Sequence, residues 1–254
     1  MRSDTTGRFL IVNADDFGLT SGVNRGIIEA HEHGIVTSAS LMVRAPAAGE
    51  AANYGRNSGR LSIGLHLDLG EWQYVAGEWR AVYQVVDTRD GKAVQVECER
   101  QLSAFEMLLG RRPSHLDSHQ HAHLSEPARS VTMQIASELG ISLRSRSETI
   151  IYCGSFYGQT GEGMPYSEGI AAKNLAELLR GLPIGWTELG CHPGYSDDLD
   201  SVYKTEREEE VRVLCSKEIR EVLEAEGIEL RSFAEAPIVD APPRGIEGAP
   251  RFRG

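Results

Sequence analysis

The chain has 254 residues, 41% of them apolar and 25% charged, which suits one soluble α/β domain with a substantial core. Its formal net charge of −11 argues against nucleic acid or an anionic membrane as the main partner. Cys98, Cys153, Cys191 and Cys215 are scattered and form no CxxC pair, the start MRSDTTGRFL is too polar for a secretion signal, and no apolar run reaches transmembrane length. A cytoplasmic protein with free thiols and no integral membrane segment is the expectation.

The elements alternate. Phe9 to Asn13 reads as a buried strand that breaks at Asp15, Asp16 and Gly18. Thr20 or Ser21 then caps a helix with Val23, Ile27, Ala30 and His31 on one face, ended by Gly34. Residues 35–43 form a second strand, and residues 46–54 a helix with Pro46 in its first turn. Residues 61–67 form a third strand, with His66 near its end. Residues 70–92, which hold Trp72 and Trp79, lack a clear period and read as an inserted loop or hairpin. Cys98, Leu102, Phe105 and Leu109 mark the next helix, closed by Gly110 and Pro113. A short strand at residues 114–117, a helix at 128–139 and a strand from Ile141 ending near Arg144 follow. Residues 154–167 read as a second surface loop, residues 170–179 as a helix, and residues 186–191 as the strand that delivers His192. One long helix is expected from Glu206 to Glu226, with Thr205 and Glu208 at capping-box spacing and the Glu206–Glu210 run as its solvated start. The tail from residue 236 is rich in Pro, Gly and Arg and reads as flexible.

This alternation implies a parallel sheet with crossover helices, and about 250 residues is the usual size of a (β/α) barrel. Asp15, Asp16, His66, Asp117, His119 and His192 all fall at strand ends, where such barrels gather their chemistry. Four chemically armed strand ends fit a barrel better than an open doubly wound sheet.

Imidazoles and carboxylates in this density suit a divalent metal and hydrolysis. In SHLDSHQHAH, residues 115, 117, 119, 121 and 123 would share one face of an extended segment. One metal cannot use them all, because a catalytic centre usually takes three protein ligands and keeps a position open. A bend at Asp15–Asp16 would let one carboxylate bind metal while the other faces the reacting water. Alone, the same dipeptide would serve as a turn cap. Asp68 is placed to orient His66, and Asp197 to hydrogen-bond the His192 ring. Arg144 could hold a catalytic carboxylate ionised, or lie on the surface. His31 and His33 read as structural.

Taken in order, NADDFGLT, IVTSASLMV, IGLHLDL, RRPSHLDSHQHAH and GCHPG resemble the YdjC-like family of carbohydrate deacetylases, also labelled ChbG/HpnK. The resemblance spans residues 8–235, between a short tail at 1–7 and the tail at 236–254. It is weak in the loops 70–92 and 154–167. It implies a single-domain, deformed (β/α) TIM-like barrel that removes an acetyl group from an N-acetylated amino sugar. It further implies one divalent metal, Mg or Zn foremost, with Mn, Co and Ni compatible. Carried over by position, Asp16, His66 and His119 are the metal ligands and Asp15 the general base. His192 is the general acid with Asp197 as its partner, and Arg144 completes the catalytic set. The partner is then the acetylated sugar, with a homodimer left open. The rivals are a metal-dependent phosphoesterase or other amidohydrolase, and a non-catalytic sugar-binding barrel.

Overall fold

The computed structural model describes residues 7–237. Strand β1 (Arg8–Phe17) sets both layers of the molecule. Leu10, Val12 and Ala14 join the main apolar core, whereas Ile11 packs with Ile150 and Phe233 in a separate small cluster. Alternate strand residues point to opposite faces, so Asn13 and Asp15 share the face of Ile11. Both faces are buried, as in a parallel sheet covered by helices.

The further strands are β2 (Ser38–Leu41), β3 (Ser62–Leu67), β4 (Gly70–Val75), β5 (Glu78–Gln84), β6 (His115–Ser118), β7 (Ser142–Leu143), β8 (Ile150–Cys153), β9 (Gly185–Cys191) and β10 (Ile228–Arg231). Hydrogen bonding runs in the order β7-β6-β3-β2-β1-β9-β8, all parallel, and β10 pairs with the first half of β1. The sheet curls. Arg144, just past β7 at one end, lies over the ring of Tyr152 on β8 at the other end, 5.0 Å from its centroid. The result is a single α/β domain built on a half-barrel, as the alternation and the resemblance both imply. No pairing joins β7 to β8 among the described residues.

Seven helices, α1 (Ser21–Glu32), α2 (Ala48–Asn57), α3 (Gly91–Leu109), α4 (Ala128–Leu139), α5 (Ala172–Arg180), α6 (Thr205–Leu214) and α7 (Lys217–Ala225), lie among the described residues. Thr20 caps α1 by accepting from the Val23 N–H. Residues 70–92 do contain a hairpin, β4–β5. Other expectations need correction. Pro46 lies outside α2, which starts at Ala48. The long helix is two, because the Ser216 hydroxyl accepts from the Ile219 N–H and starts α7 afresh. The capping box is absent, since Glu208 instead accepts from the N–H and hydroxyl of Ser196. β8 and β10 were not expected at all. All four cysteines are free, with Cys98 and Cys191 buried. No described helix is long and apolar enough to cross a membrane. Residues 1–6 of the expected N-terminal tail, and all of the expected C-terminal tail after residue 237, lie outside the described residues.

Helix α1 meets the turn after β9 at glycine on both sides. A Cβ built on Gly26 would lie 2.4 Å from the Gly194 Cα, and backbone cannot move aside as a flexible side chain can. Gly26→Ala is expected to destabilise the protein by about 1–3 kcal/mol. A urea unfolding midpoint equal to the parent's would contradict this.

Candidate active site

The strand carrying Asp15 and Asp16 does not end there but bulges. Pairing of β1 with β2 shifts register between Ala14 and Phe17, and Asp16 sits at φ +66°. Left-handed backbone is uncommon outside glycine and clusters at functional sites. The bulge turns toward one site two adjacent carboxylates that regular extended chain would send to opposite faces.

Asp16 meets His66, from β3, and His119, just past β6. Its Oδ1 lies 3.4 Å from His66 Nε2 and 3.1 Å from His119 Nδ1. One ligand atom from each of the three residues can be chosen so that all lie within 4.8 Å of one another. The other oxygen, Oδ2, accepts from Arg207 of α6 at 2.6 Å. Burial would raise the Asp16 pKa, but Arg207 and His119 outweigh it and hold the carboxyl well below its ordinary value.

Asp15 belongs to a second, drier group. Arg144 donates to both its oxygens, at 2.6 and 2.7 Å, and also reaches Asp117 at 2.8 Å and Glu188 at 2.6 Å. All four side chains are buried. His66 Nδ1 donates to Asp117 Oδ1 at 2.8 Å, and the Ser40 hydroxyl donates to Asp117 Oδ2 at 2.7 Å. The first bond orients the ring so that Nε2 faces Asp16. Burial would lower the His66 pKa, but Asp117 and Asp16 outweigh it and push it up to about 10. Asp15, His66 and Asp117 also lie close enough to suggest a metal group. Arg144 already engages both of its carboxylates, so Asp16, His66 and His119 are the set that fits a cation. Burial would raise the Asp15 pKa, but Arg144 outweighs it and keeps the carboxyl low. Burial pushes Glu188 up to about 7, in spite of Arg144.

His192 follows β9. Its N–H donates to Glu210 Oε2 at 2.5 Å, and its carbonyl accepts from Arg207 at 3.3 Å. Its Nε2 stands 3.7 Å from Asp15 Oδ2, and its ring packs against Tyr157 and Tyr203. Burial holds the imidazole below its ordinary pKa, against the pull of Asp15 and Asp16. It is therefore neutral near pH 7.

The expected Asp197–His192 pair is not formed. Asp197 is 64% exposed and binds Arg25 at 2.6 Å, while His192 Nδ1 has no hydrogen-bond partner among the described residues. The turn at Pro193–Gly194 sends the chain back to α1, where Tyr195 N–H donates to the Gly22 carbonyl. Asp68 does not orient His66 either. Strand β3 ends at Leu67, and Asp68 accepts instead from Tyr83 and the Gly70 N–H. The histidine tract is not extended throughout: β6 stops at Ser118, and Gln120 and His121 take left-handed backbone at φ +49° and +53°. His115 stacks on Phe233 below the site. His123 lies 2.7 Å from the Ser118 hydroxyl and 3.2 Å from the Arg144 carbonyl, and His121 lies 3.4 Å from the Tyr152 hydroxyl. Arg207, Glu210 and Glu188 were missed by the sequence reading. The first two lie in the run expected to be solvated, yet both are buried.

The YdjC-like protein family matches residues 9–225. A carbohydrate deacetylase of Thermoanaerobacter pseudethanolicus is 31% identical, over 89% of this chain and 98% of the relative. A chitooligosaccharide deacetylase of Salmonella schwarzengrund is 30% identical, over 90% of this chain and 99% of the relative. Among solved structures, an Enterococcus faecalis V583 protein provisionally assigned to cellobiose-phosphate cleavage superimposes with a TM-score of 0.71 and 27% identity, covering 89% of this chain and 98% of that one. A family 4 acetyl xylan esterase from Clostridium thermocellum, in complex with cobalt, shares the fold at 13% identity with a TM-score of 0.55, over 93% and 97% of the two chains.

Arg144 is the cation common to three buried carboxylates. Arg144→Met removes it and leaves them uncompensated, which is expected to cost about 3–5 kcal/mol. Chemical unfolding of the metal-free protein measures this, and a loss under 1 kcal/mol, within the range usual for an exposed ion pair, would contradict it.

Proposed function

This chain belongs to the YdjC-like protein family, and from that membership and the geometry of its interior we propose that it is a divalent-metal-dependent carbohydrate deacetylase. Its substrate is the N-acetyl group of an amino sugar. The observation that carries this reading is the pairing of a three-ligand group with a separate proton-transfer pair: Asp15 and His192 stand beside Asp16, His66 and His119. A binding module needs no such pair.

Asp16, His66 and His119 hold the cation, which supplies Lewis acidity toward water and toward the acetamide carbonyl. Asp15 Oδ2 carries one Arg144 donor and faces His192, so it can accept the proton of the attacking water. A carboxylate held this low is a weak base and passes the proton on. The neutral His192 Nε2, 3.7 Å away, accepts it and delivers it to the amide nitrogen as the C–N bond breaks. One C–O bond forms, one C–N bond breaks, and acetate and a free amine leave. Asn13 Nδ2 donates to Asp15 Oδ1 at 2.9 Å and turns the reactive oxygen toward His192.

The hairpin β4–β5 is the proposed sugar platform. Trp79 is 57% exposed and packs edge-on against Tyr74, and Gln120 bonds the Trp72 backbone N–H and carbonyl, each at 2.9 Å. Gln120 follows His119 directly, so the platform is tied to a metal ligand. Phe156, in the loop at residues 154–167, is 1% exposed and serves the core rather than a sugar face. The phosphoesterase reading is less well supported, since Arg144 and Arg207 both commit donors to carboxylates rather than to an open subsite.

Acetate release from N-acetylglucosamine oligomers, assayed with Mg, Zn, Mn, Co and Ni in turn, tests the reading. The parent is expected to release acetate with at least one metal and to lose activity on chelation. Asp15→Asn is expected to lower turnover by about 100-fold or more while metal binding persists. Release of phosphate from sugar phosphates, with no acetate from any N-acetylated sugar, would refute it.

A further inference from the structure

Arg207 is a second buried arginine at the site, and its contacts differ in kind from those of Arg144. One guanidinium nitrogen donates to Asp16 Oδ2 at 2.6 Å, and another donates to the His192 carbonyl at 3.3 Å. Its Nε donates to the Tyr203 carbonyl at 3.2 Å, and its guanidinium carbon stands 5.5 Å from the centre of the Tyr203 ring. Tyr203 in turn stacks on Tyr157 and donates to Glu210, which receives the His192 N–H. One side chain of α6 thus touches both a candidate metal ligand and the peptide of the candidate acid.

We propose that Arg207 is a positioning residue that holds Asp16 to a single ligand oxygen. Building on the metal-dependent reading above, the argument is one of atoms and charge. Asp16 has two oxygens, and only Oδ1 faces the two imidazoles. Arg207 occupies Oδ2. Without that bond the carboxylate is free to turn and offer both oxygens to a cation, filling a position that water or substrate needs. Arg207 also places a fixed positive charge beside a ligand of a cation, which weakens cation binding. Its loss therefore has two opposite effects: the metal binds more tightly and turnover falls. An arginine that only supports the fold would, on removal, loosen the site and lower both.

The test titrates cobalt(II) into the metal-free protein, parent against Arg207→Gln and Arg207→Lys. Affinity is read by calorimetry and the ligand field by visible absorption, whose intensity falls as coordination number rises. Arg207→Gln is expected to bind cobalt at least about threefold more tightly, because a nearby positive charge is gone. Its visible band is expected to weaken and acetate release to fall. Arg207→Lys keeps the charge, so its cobalt affinity stays within about twofold of the parent's. Weaker or unchanged cobalt binding by Arg207→Gln would overturn the proposal. If Arg207→Gln does not fold, the lysine variant decides, and a cobalt affinity reduced by tenfold or more there overturns it. The cobalt measurements need no substrate, so they stand even if the parent releases no acetate from any sugar.

Discussion

Five carboxylates, Asp15, Asp16, Asp117, Glu188 and Glu210, and two guanidiniums, Arg144 and Arg207, share the interior of the curled sheet, all of them buried. Burying a charge is costly unless it is paired, and here the anions outnumber the cations. The interior answers in two ways. Glu188 and Glu210 are each pushed up to about 7 by burial, so they can hold protons near neutrality. Of the other three, Asp16 pairs with Arg207, while Asp15 and Asp117 share Arg144, and His66, pushed up to about 10 in spite of burial, balances the remaining charge. The proposed cation site is where Arg207 takes one oxygen of Asp16 and leaves Oδ1 to the two imidazoles.

The sheet makes this arrangement by curling. Each ionisable group comes from a different strand: Asp15 from β1, His66 from β3, Asp117 from β6, Glu188 from β9 and Arg144 from the end of β7. A flat sheet in this strand order would hold Arg144 several strands away from Glu188. The curl brings them to 2.6 Å. Below the charges, Ile11, Ile150 and Phe233 close the inner face, and His115 stacks on Phe233. Hydrophobic burial at that end and ion pairing above it fix the same curvature.

The candidate ligands and the candidate acid and base were legible because each interrupts or follows an apolar run in the sequence, although β1 itself continues through Asp15 and Asp16 to Phe17. Partners given by chain proximity were not. Asp68 and Asp197 lie two and five residues from the histidines they were expected to orient, but the strand ends before Asp68 and the chain turns away before Asp197. His66 is oriented instead by Asp117, a neighbour across the sheet. Arg207 and Glu210 were hidden in a run of charge, although a helical projection would have exposed them. They precede the buried Val211 and Leu214 by four residues each and so share their face of α6. Charged residues on the apolar stripe of a helix are a signal of buried ion pairs that composition alone conceals.

The account turns on where a cation binds. Anomalous diffraction at the metal absorption edge, from crystals of the metal-loaded protein, answers this most directly. The account predicts one strong peak within bonding distance of Asp16 Oδ1, His66 Nε2 and His119. A peak between Asp15 and Asp117 that displaces Arg144, or no peak at this end of the sheet, would contradict it.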